Sequence, residues 1–532
     1  MRRPLNEVIA GAPAGAPTGT TIRSRHAGPR ARWASVFLAV AAVEAVIVLV
    51  ALSATIEAFV VALVSLVATG LMLLTAPPAS AAVGGAEEPA SSSAVVPVRL
   101  RTRATAAVGG PQDRSARARV ASSWTMLQAM SPAILLGAGY PIVGSRLSSH
   151  GVGGITLSSL VIGVSVAVPW LSQVAGTPVY RLIGDAPYRG DDGAARRFAR
   201  IWPALFMLVV PPVLVVTALV AVTTGWSATA MGAYVVLTLM NMLFVQSLVV
   251  ADMAGSRGRW TLGWVAYAIA LLVAPAIWIL PPLAGLVSQL LLMGRALGGL
   301  AHPVGIPLRP FVVDTARGLV MGGVLWSDKL FLFLVNGTDF EIATVYLCLQ
   351  PAVVAYSYYF AITAPSINRA VVRFRAQLAD ASMDKLYDQG RFLRGTVSAS
   401  LRRTAVVGVV SVGVAVLVAA LLEGDGASAW ELSASGVLNV TIIAAASLLL
   451  TMLTLLAYEI EHVGDHTAAV LLSGAHLAAA LPLFIGLGTT AVRAYAAVGI
   501  VDLVLVTVAV AVYRSRWSSP EYAFFWGKAL SW

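Results

Sequence analysis

The chain has 532 residues, of which 58% are hydrophobic and only 11% are charged, and its formal net charge is +11. A soluble domain of this length carries far more charge, so the composition excludes an ordinary soluble enzyme. The apolar residues occur in runs of about 20, the length that crosses a hydrocarbon core, which indicates a polytopic helical membrane protein.

The first part of the chain differs from the rest. Residues 1–32 are rich in Arg, Gly, Ala and Pro and lack apolar periodicity, so we expect a disordered cytoplasmic tail. Two apolar runs at 33–76 predict a two-span prefix. Residues 77–123 are rich in Pro, Gly, Ala and Ser and contain six arginines. They predict a flexible basic linker that could rest on anionic lipid headgroups.

The chain up to residue 513 predicts about twelve further spans, which gives about fourteen transmembrane helices and an all-α polytopic fold. The twelve spans form two sets of six, each with a hairpin, a long basic loop and four closely spaced spans. Both halves then face the same way, as in parallel repeats whose substrate site lies between the halves. The predicted parts are a first six-helix half at 124–300, a cytoplasmic connection at 301–317, a second six-helix half at 318–513 and a cytoplasmic tail at 514–532.

Basic residues mark the loops that we expect in the cytoplasm. The long loops at 176–200 and 366–400 are rich in arginine, whereas the predicted outer loops at 338–341 and 423–431 are short and acidic. The positive-inside rule therefore places both termini in the cytoplasm and the protein in the plasma (inner) membrane. It also explains the net charge without nucleic acid as a partner. One predicted inner loop, 459–466, is acidic and breaks the pattern.

Two ionisable residues stand inside the apolar run at 319–335, which reads LVMGGVLWSDKLFLFLV. A charge at that depth costs about 2.5–3.5 kcal/mol on insertion scales, so intramembrane charges are functional by default. Neighbours on a helix point about 100° apart, and we expect that Asp328 and Lys329 cannot simply neutralise each other. This predicts a polar cavity between the halves and hence transport. The alternative is that Asp328 pairs structurally with a distant arginine while Lys329 reaches the interface.

Three stretches resemble a known group of membrane exporters. They are TPVYRLIGDAPYRG (Thr177–Gly190), WSDKLFLFLVNG (Trp326–Gly337) and YLCLQPAVVAYSYYFAI (Tyr346–Ile362). With the span plan over about 124–513, they resemble the polysaccharide flippases of the multidrug/oligosaccharidyl-lipid/polysaccharide (MOP) exporter superfamily, most of all the membrane subunit of Pel-type exopolysaccharide export. The resemblance implies a secondary-type transporter that moves a polysaccharide or lipid-linked oligosaccharide by alternating access. Residues 363–365 depart from it, since an acidic residue is expected at the end of the eighth span.

Eight polar residues are candidates for the substrate or ion path, and the resemblance implies the first four. They are Arg181, Asp185, Asp328, Lys329, Arg369, Asp502, Gln246 and Gln350. Lys329 could bind a phosphate or an acidic sugar, and Asp328 could titrate or bind a coupling cation, H⁺ or Na⁺. Asp502 could complete a proton path, and Arg369 could meet diphosphate headgroups. The alternatives are interfacial anchoring for the arginines and hydrogen bonding between helices for the glutamines.

An enzyme is the competing class. The string HVGDH at 462–466 approaches the H-x-x-E-H signature of one metalloprotease class. Asp465 replaces its glutamate, and Gly464 weakens a helix, so we predict a solvated cytoplasmic turn and no metal site. The single cysteine, Cys348, leaves no multi-cysteine site, and no G-x-x-x-x-G-K-[ST] nucleotide loop is present. We therefore expect no enzyme and no cofactor beyond a coupling cation.

Two alternatives to transport stay open, namely a membrane-embedded glycosyl- or acyltransferase and a non-transporting scaffold of a polysaccharide assembly complex. A transferase needs a catalytic loop, and the loop at 366–400 holds Asp380, Asp384 and Asp388 along one helical stripe. We prefer an amphipathic interfacial helix for that stripe. The expected partners are the lipid bilayer, the sugar substrate and a glycosyltransferase or other assembly subunit.

Overall fold

The described part of the chain is almost entirely helical. The structure is a computed structural model that describes residues 111–529 except 185–190, 254–255, 307, 338–339, 341, 379–381 and 425–433. The predicted tail, the two-span prefix and the linker up to residue 110 lie outside the described residues. All described residues belong to one compact unit, Ala45–Trp532.

The first half contains six long helices and a short hairpin. Between α1 and α2 the chain forms an antiparallel pair of two-residue strands, β1 (Gly151–Val152) and β2 (Ile155–Thr156). The helices are α1 (Pro111–Ser148), α2 (Leu157–Gly184), α3 (Asp191–Thr224), α4 (Ala228–Met253), α5 (Arg257–Val273) and α6 (Leu280–Met293), followed by a 3₁₀ segment (Gly294–Ala301).

The second half repeats this plan with additions on its basic loop and at its end. Its eighth span is interrupted by a π-helical segment (Tyr359–Thr363). The helices are α7 (Leu308–Asn336), α8 (Ile342–Tyr358), α9 (Ala364–Gln377), α10 (Met383–Gly424), α11 (Ala434–His462), α12 (His466–Leu487), α13 (Ala491–Arg516) and α14 (Pro520–Ala529). The twelve spans predicted for the body correspond in order to α1–α8 and α10–α13.

Helix α1 corrects one predicted boundary. The sequence predicts a flexible linker up to residue 123, but α1 already begins at Pro111. Proline suits the first helical position because its missing N–H would have no intrahelical partner there. The residues after it are rich in Arg and Ala, which are good helix formers, so this end of the linker continues the first body span.

The two long basic loops are also largely helical. Helix α2 runs to Gly184 and α3 begins at Asp191, while α9 and the start of α10 fill the second loop. Helix α10 has 42 residues and is about 63 Å long, roughly twice the thickness of a hydrocarbon core. Its N-terminal half therefore extends beyond that core and carries Asp384 and Asp388, as the amphipathic interpretation predicts. Asp380 lies outside the described residues.

Length and composition confirm a multi-pass membrane protein. Among the described residues, nine helices are long and apolar enough to cross a membrane. A pair bent by 43° within α1, Trp124–Gly137 and Ile142–Ser148, would add a tenth. Helices α5 and α8 have 17 residues each, and α8 continues through the π-helical segment into α9. The predicted all-α polytopic fold class is confirmed.

The predicted halves meet mainly through two pairs of helices, with a smaller contact between α3 and α7. Helix α2 packs along α7, and α1 packs against α8. The two contacts are equivalent, because in each one the first span of one half packs against the second span of the other half. Trp170 of α2 ties the halves further, since its Nε1 donates to the carbonyl oxygen of Leu319 on α7 at 2.8 Å. Helix α7 thus lies at the contact between the halves.

Candidate functional site

Helix α7 positions the two charges that the sequence singles out. It packs against α2 on one side and against α12 and α11 on the other. Gly322 and Gly323 permit this close approach, because a Cβ on Gly322 would lie 2.8 Å from the Cβ of Gln173 on α2, and one on Gly323 would lie 2.9 Å from the methyl groups of Leu477 on α12. Two turns later the same helix carries the charged pair.

Asp328 and Lys329 neutralise each other, which corrects the sequence prediction. Lys329 Nζ donates to Asp328 Oδ1 at 2.7 Å and to the carbonyl oxygen of Leu325 at 2.6 Å. Although the two residues point about 100° apart on the helix, the four methylene groups of lysine let its ammonium group bend back toward the preceding turn and reach Asp328. The ammonium also lies 5.5 Å from the ring centroid of Trp326, within reach of a cation–π interaction.

A third side chain completes the coordination of Asp328. Tyr495 Oη, from α13, donates to Asp328 Oδ2 at 2.6 Å. Both carboxylate oxygens are therefore paired, as a buried charge requires. Tyr495 is itself fully buried, with its ring edge-on to Phe484 of α12. Tyr495 is not among the residues that the sequence singles out, because a tyrosine in an apolar span gives no signal until the helix opposite it is known.

A second buried pair lies close to the first. His476 Nδ1 of α12 and Asp502 Oδ1 of α13 are 2.6 Å apart, and both residues are fully buried. Asp502 stands two helical turns after Tyr495, on the same face of α13. Asp328 is near enough to Asp502 for the two carboxyl groups to interact electrostatically. The three charged side chains and two partners therefore form one network, which we call the buried charge network: Asp328, Lys329, Tyr495, Asp502 and His476.

The buried charge network keeps unused hydrogen-bonding capacity. Asp502 Oδ2 and His476 Nε2 are buried and have no partner among the described residues. The same holds for the hydroxyl groups of Ser327 on α7 and Ser473 on α12. Unsatisfied buried polar groups are rare and costly, so these four atoms call for an explanation such as water or an ion. Protons or small cations are the ligands that such a site can hold.

The buried charge network is enclosed, contrary to the predicted passage between the halves. Asp328 is 0% exposed and Lys329 only 5%, and their partner Tyr495 comes from the second half. A pocket with a volume of about 80 Å³ lies in the first half instead, among α1, α2, α4 and α5. It is lined mostly by apolar and aromatic side chains, with Asn241 on its wall. The charged pair thus faces the interior of one half.

The other candidate residues do not join this network. Gln246 Oε1 accepts a hydrogen bond from Trp202 Nε1 at 2.9 Å within the first half, as the interhelical alternative predicts. Gln350 is buried in α8, and its Oε1 has no partner among the described residues. Arg369 is exposed and bonds the carbonyl oxygen of Pro365. The side chain of Arg181 and all of Asp185 lie outside the described residues.

The acidic turn at 459–466 has a structural explanation. Glu461 pairs with Arg317 at 3.5 Å, and Asp465 pairs with Arg516 at 2.7 Å while capping α12 through the N–H of Ala468. Arginines from neighbouring segments therefore supply the positive charge that the turn itself lacks. Within the described residues, no three His, Cys, Asp or Glu side chains are arranged to hold a metal ion.

Comparisons with known proteins give distant similarities only. No protein-family model and no curated protein matches the chain. A crystal structure of MATE in the straight conformation is similar over 76% of this chain and 96% of that one, with a TM-score of 0.47 and 14% identity. A MOP superfamily transporter from Pyrococcus furiosus Vc1 is similar over 75% of this chain and 95% of that one, with a TM-score of 0.45 and 14% identity. The lipid II flippase MurJ in an inward closed conformation is similar over 78% of this chain and 92% of that one, with a TM-score of 0.45 and 12% identity. At these low TM-scores the similarities carry no part of the functional argument.

Proposed function

We propose that the chain is a secondary-type membrane transporter of the flippase kind, which moves a polysaccharide or lipid-linked oligosaccharide across the plasma membrane by alternating access. The observation that carries the proposal is the buried charge network inside membrane-spanning helices. Burying three charged side chains is costly, and apolar residues of similar volume would serve packing as well or better. A function that needs charge at this depth explains why these costly buried charges are present.

The Asp328–Lys329 pair can work as a switch. While Asp328 is ionised, it holds the Lys329 ammonium at 2.7 Å. A proton on Asp328 removes the negative charge and frees the ammonium, which can then bind a phosphate or an acidic sugar. Loss of the proton restores the pair and expels the anion. Proton movement is thereby coupled to binding and release of an anionic substrate.

The second buried pair can supply the proton. Asp502 and His476 face each other at 2.6 Å, and a carboxyl–imidazole pair at this distance binds and releases protons as a unit. The hydroxyl groups of Ser327, beside Asp328 in the sequence, and of Ser473, one helical turn before His476, have no partner among the described residues and offer further hydrogen-bonding capacity. We favour H⁺ over Na⁺ as the coupling ion, since the 2.6 Å contact between His476 Nδ1 and Asp502 Oδ1 can hold a proton between the two atoms.

The remaining assignments follow from the sequence. Basic loops and tails place both termini in the cytoplasm, where a glycosyltransferase or other assembly subunit would deliver the sugar chain. The chain itself performs no catalytic step in this proposal. A transferase would depend on its loop carboxylates, and a scaffold would tolerate substitution of the buried charges, so one experiment separates all three.

The experiment is rescue of a deletion strain, with surface polysaccharide and accumulated lipid-linked sugar as readouts. Asp328→Asn and Lys329→Ala are expected to insert at normal levels, to abolish surface polysaccharide and to raise the lipid-linked sugar. Thr404→Val is the matched control, because Thr404 is also fully buried but bonds only its own helix at Ser400. Full rescue by both charge variants would contradict the proposal.

A further inference from the structure

A second buried acid lies at the end of α11, away from the buried charge network. Glu459 stands in the last turn of that helix and is 0% exposed. The sequence predicts a solvated turn here, which is wrong for Glu459 although His466, at the other end of the turn, is half exposed. Glu459 is buried because α11 continues through His462 and packs along α13.

Side-chain and backbone contacts of Glu459 join three segments of the chain. Tyr359 Oη, at the start of the π-helical segment, donates to Glu459 Oε1. Trp517 Nε1, just after α13, donates to the backbone oxygen of Glu459 at 3.0 Å. The other carboxyl oxygen, Oε2, lies 3.6 Å from His462 Nδ1 on the next turn of α11. Neither of these two atoms has another partner among the described residues.

Charge balance requires a proton in this cluster. Tyr359 contributes a hydrogen bond but no charge. Tyr458, whose ring packs 5.1 Å from the ring of His462, and Tyr513 of α13, whose hydroxyl group bonds Ser398, add no charge either. Arg375 of α9 directs its guanidinium to the backbone oxygen of His462 and over the ring of Phe524. An ionised Glu459 beside a neutral His462 would leave a bare charge fully buried, at a cost of several kcal/mol. One proton, on either group, removes it and fills the gap between Oε2 and Nδ1.

The position suggests what the proton controls. Tyr359 opens the π-helical segment that separates α8 from α9, and π-helical turns are frequently found at functional sites. The Glu459–Tyr359 bond is therefore a link between this irregular joint and α11. Loss of the proton would leave a buried negative charge that only water or movement of the joint can relieve.

We propose that Glu459 and His462 together form a second proton-binding site, near the end of α11 that the positive-inside rule assigns to the cytoplasm. The site exchanges one proton with that compartment and sets the contact between α11 and the π-helical joint. Its link to transport rests on the function proposed above, whereas proton binding itself does not.

The test is potentiometric titration of the purified full-length protein in detergent. Ordinary carboxyl groups are already ionised above about pH 6, and groups shared by all variants contribute equally, so a difference in proton release in that range reports the substituted site. We expect Glu459→Gln to lack a release of about one proton per molecule that the unaltered protein shows there, and the double variant Glu459→Gln/His462→Gln to lack the same step. Glu461→Gln is the matched control, because this neighbouring acid is partly exposed and paired with Arg317. Equal titrations of the unaltered protein and Glu459→Gln would overturn the proposal.

A second variant guards against misfolding. Tyr359→Phe keeps the shape of the ring and the Glu459–His462 pair but removes the phenol that stabilises the ionised carboxylate. We expect the same proton to be released at higher pH, and an unchanged titration would contradict the assigned contact. If Glu459→Gln lacks the proton release but its export still depends on a pH gradient, the link between this proton site and transport is overturned. If the unaltered protein moves no substrate at all but shows the step, the transport proposal fails and the proton site stands.

Discussion

At the scale of single residues, the site depends on how long side chains find partners that helical angles do not reveal. Lys329 folds back on its own helix to reach both Asp328 and the carbonyl oxygen of Leu325. Tyr495 reaches Asp328 from another helix and bonds the oxygen that Lys329 leaves free. The pairing makes a buried charge tolerable. In the proposed mechanism, a proton on Asp328 releases Lys329 from the pair.

The phenol of Tyr495 gives a clean test at this scale. Tyr495→Phe removes the hydrogen bond to Asp328 and leaves the ring in its contact with Phe484. A hydrogen bond to a charged group is worth about 1.5–3 kcal/mol, so we expect a lower thermal unfolding temperature in detergent and reduced export. Tyr267→Phe is the control for loss of a buried phenol elsewhere, in the first half. Identical unfolding temperatures for the unaltered protein and Tyr495→Phe would contradict the assigned bond.

At the scale of elements, the glycines of α7 let one helix contact both halves. A methyl group on Gly322 would lie 2.8 Å from the Cβ of Gln173, too close for two carbon atoms. Forcing extra atoms into a packed contact costs about 1–3 kcal/mol, so Gly322→Ala is expected to lower the thermal unfolding temperature. The control is Gly474→Ala on α12, where the new Cβ would lie at an ordinary 3.9 Å from Val320. The contact between α2 and α7 would be wrong if both variants unfolded at the same temperature.

The basic loops show how an element can be partly predictable. Their arginines predict the side of the membrane on which the loops lie, but the residues of the second loop form α9 and the first half of α10, for which the sequence predicts a loop. Arg and Lys are typical of cytoplasmic loops and are also good helix formers, so their presence does not distinguish a loop from a helix here. The stripe of Asp384 and Asp388 was the one signal that favoured a helix.

At the scale of the whole molecule, the order of spans could be predicted because runs of apolar residues depend only on sequence. The positions of Asp328, Lys329 and Asp502 in those spans could be predicted for the same reason. Their contacts could not, since the pairing of Asp502 with His476 joins residues on two different helices. The burial of Glu459 was missed because a short acidic stretch between two spans looks like a turn, and only the packing of α11 on α13 encloses it.

The central claim is that binding or release of a proton at the buried charge network drives substrate movement. The most direct measurement uses the purified protein in liposomes with a fluorescent lipid-linked oligosaccharide and an imposed pH gradient. We predict that the unaltered protein moves the lipid faster with the gradient than without it, and that Asp328→Asn removes this difference while Thr404→Val keeps it. Movement that is equally fast with and without the gradient, or a gradient response that survives in Asp328→Asn, would contradict the claim.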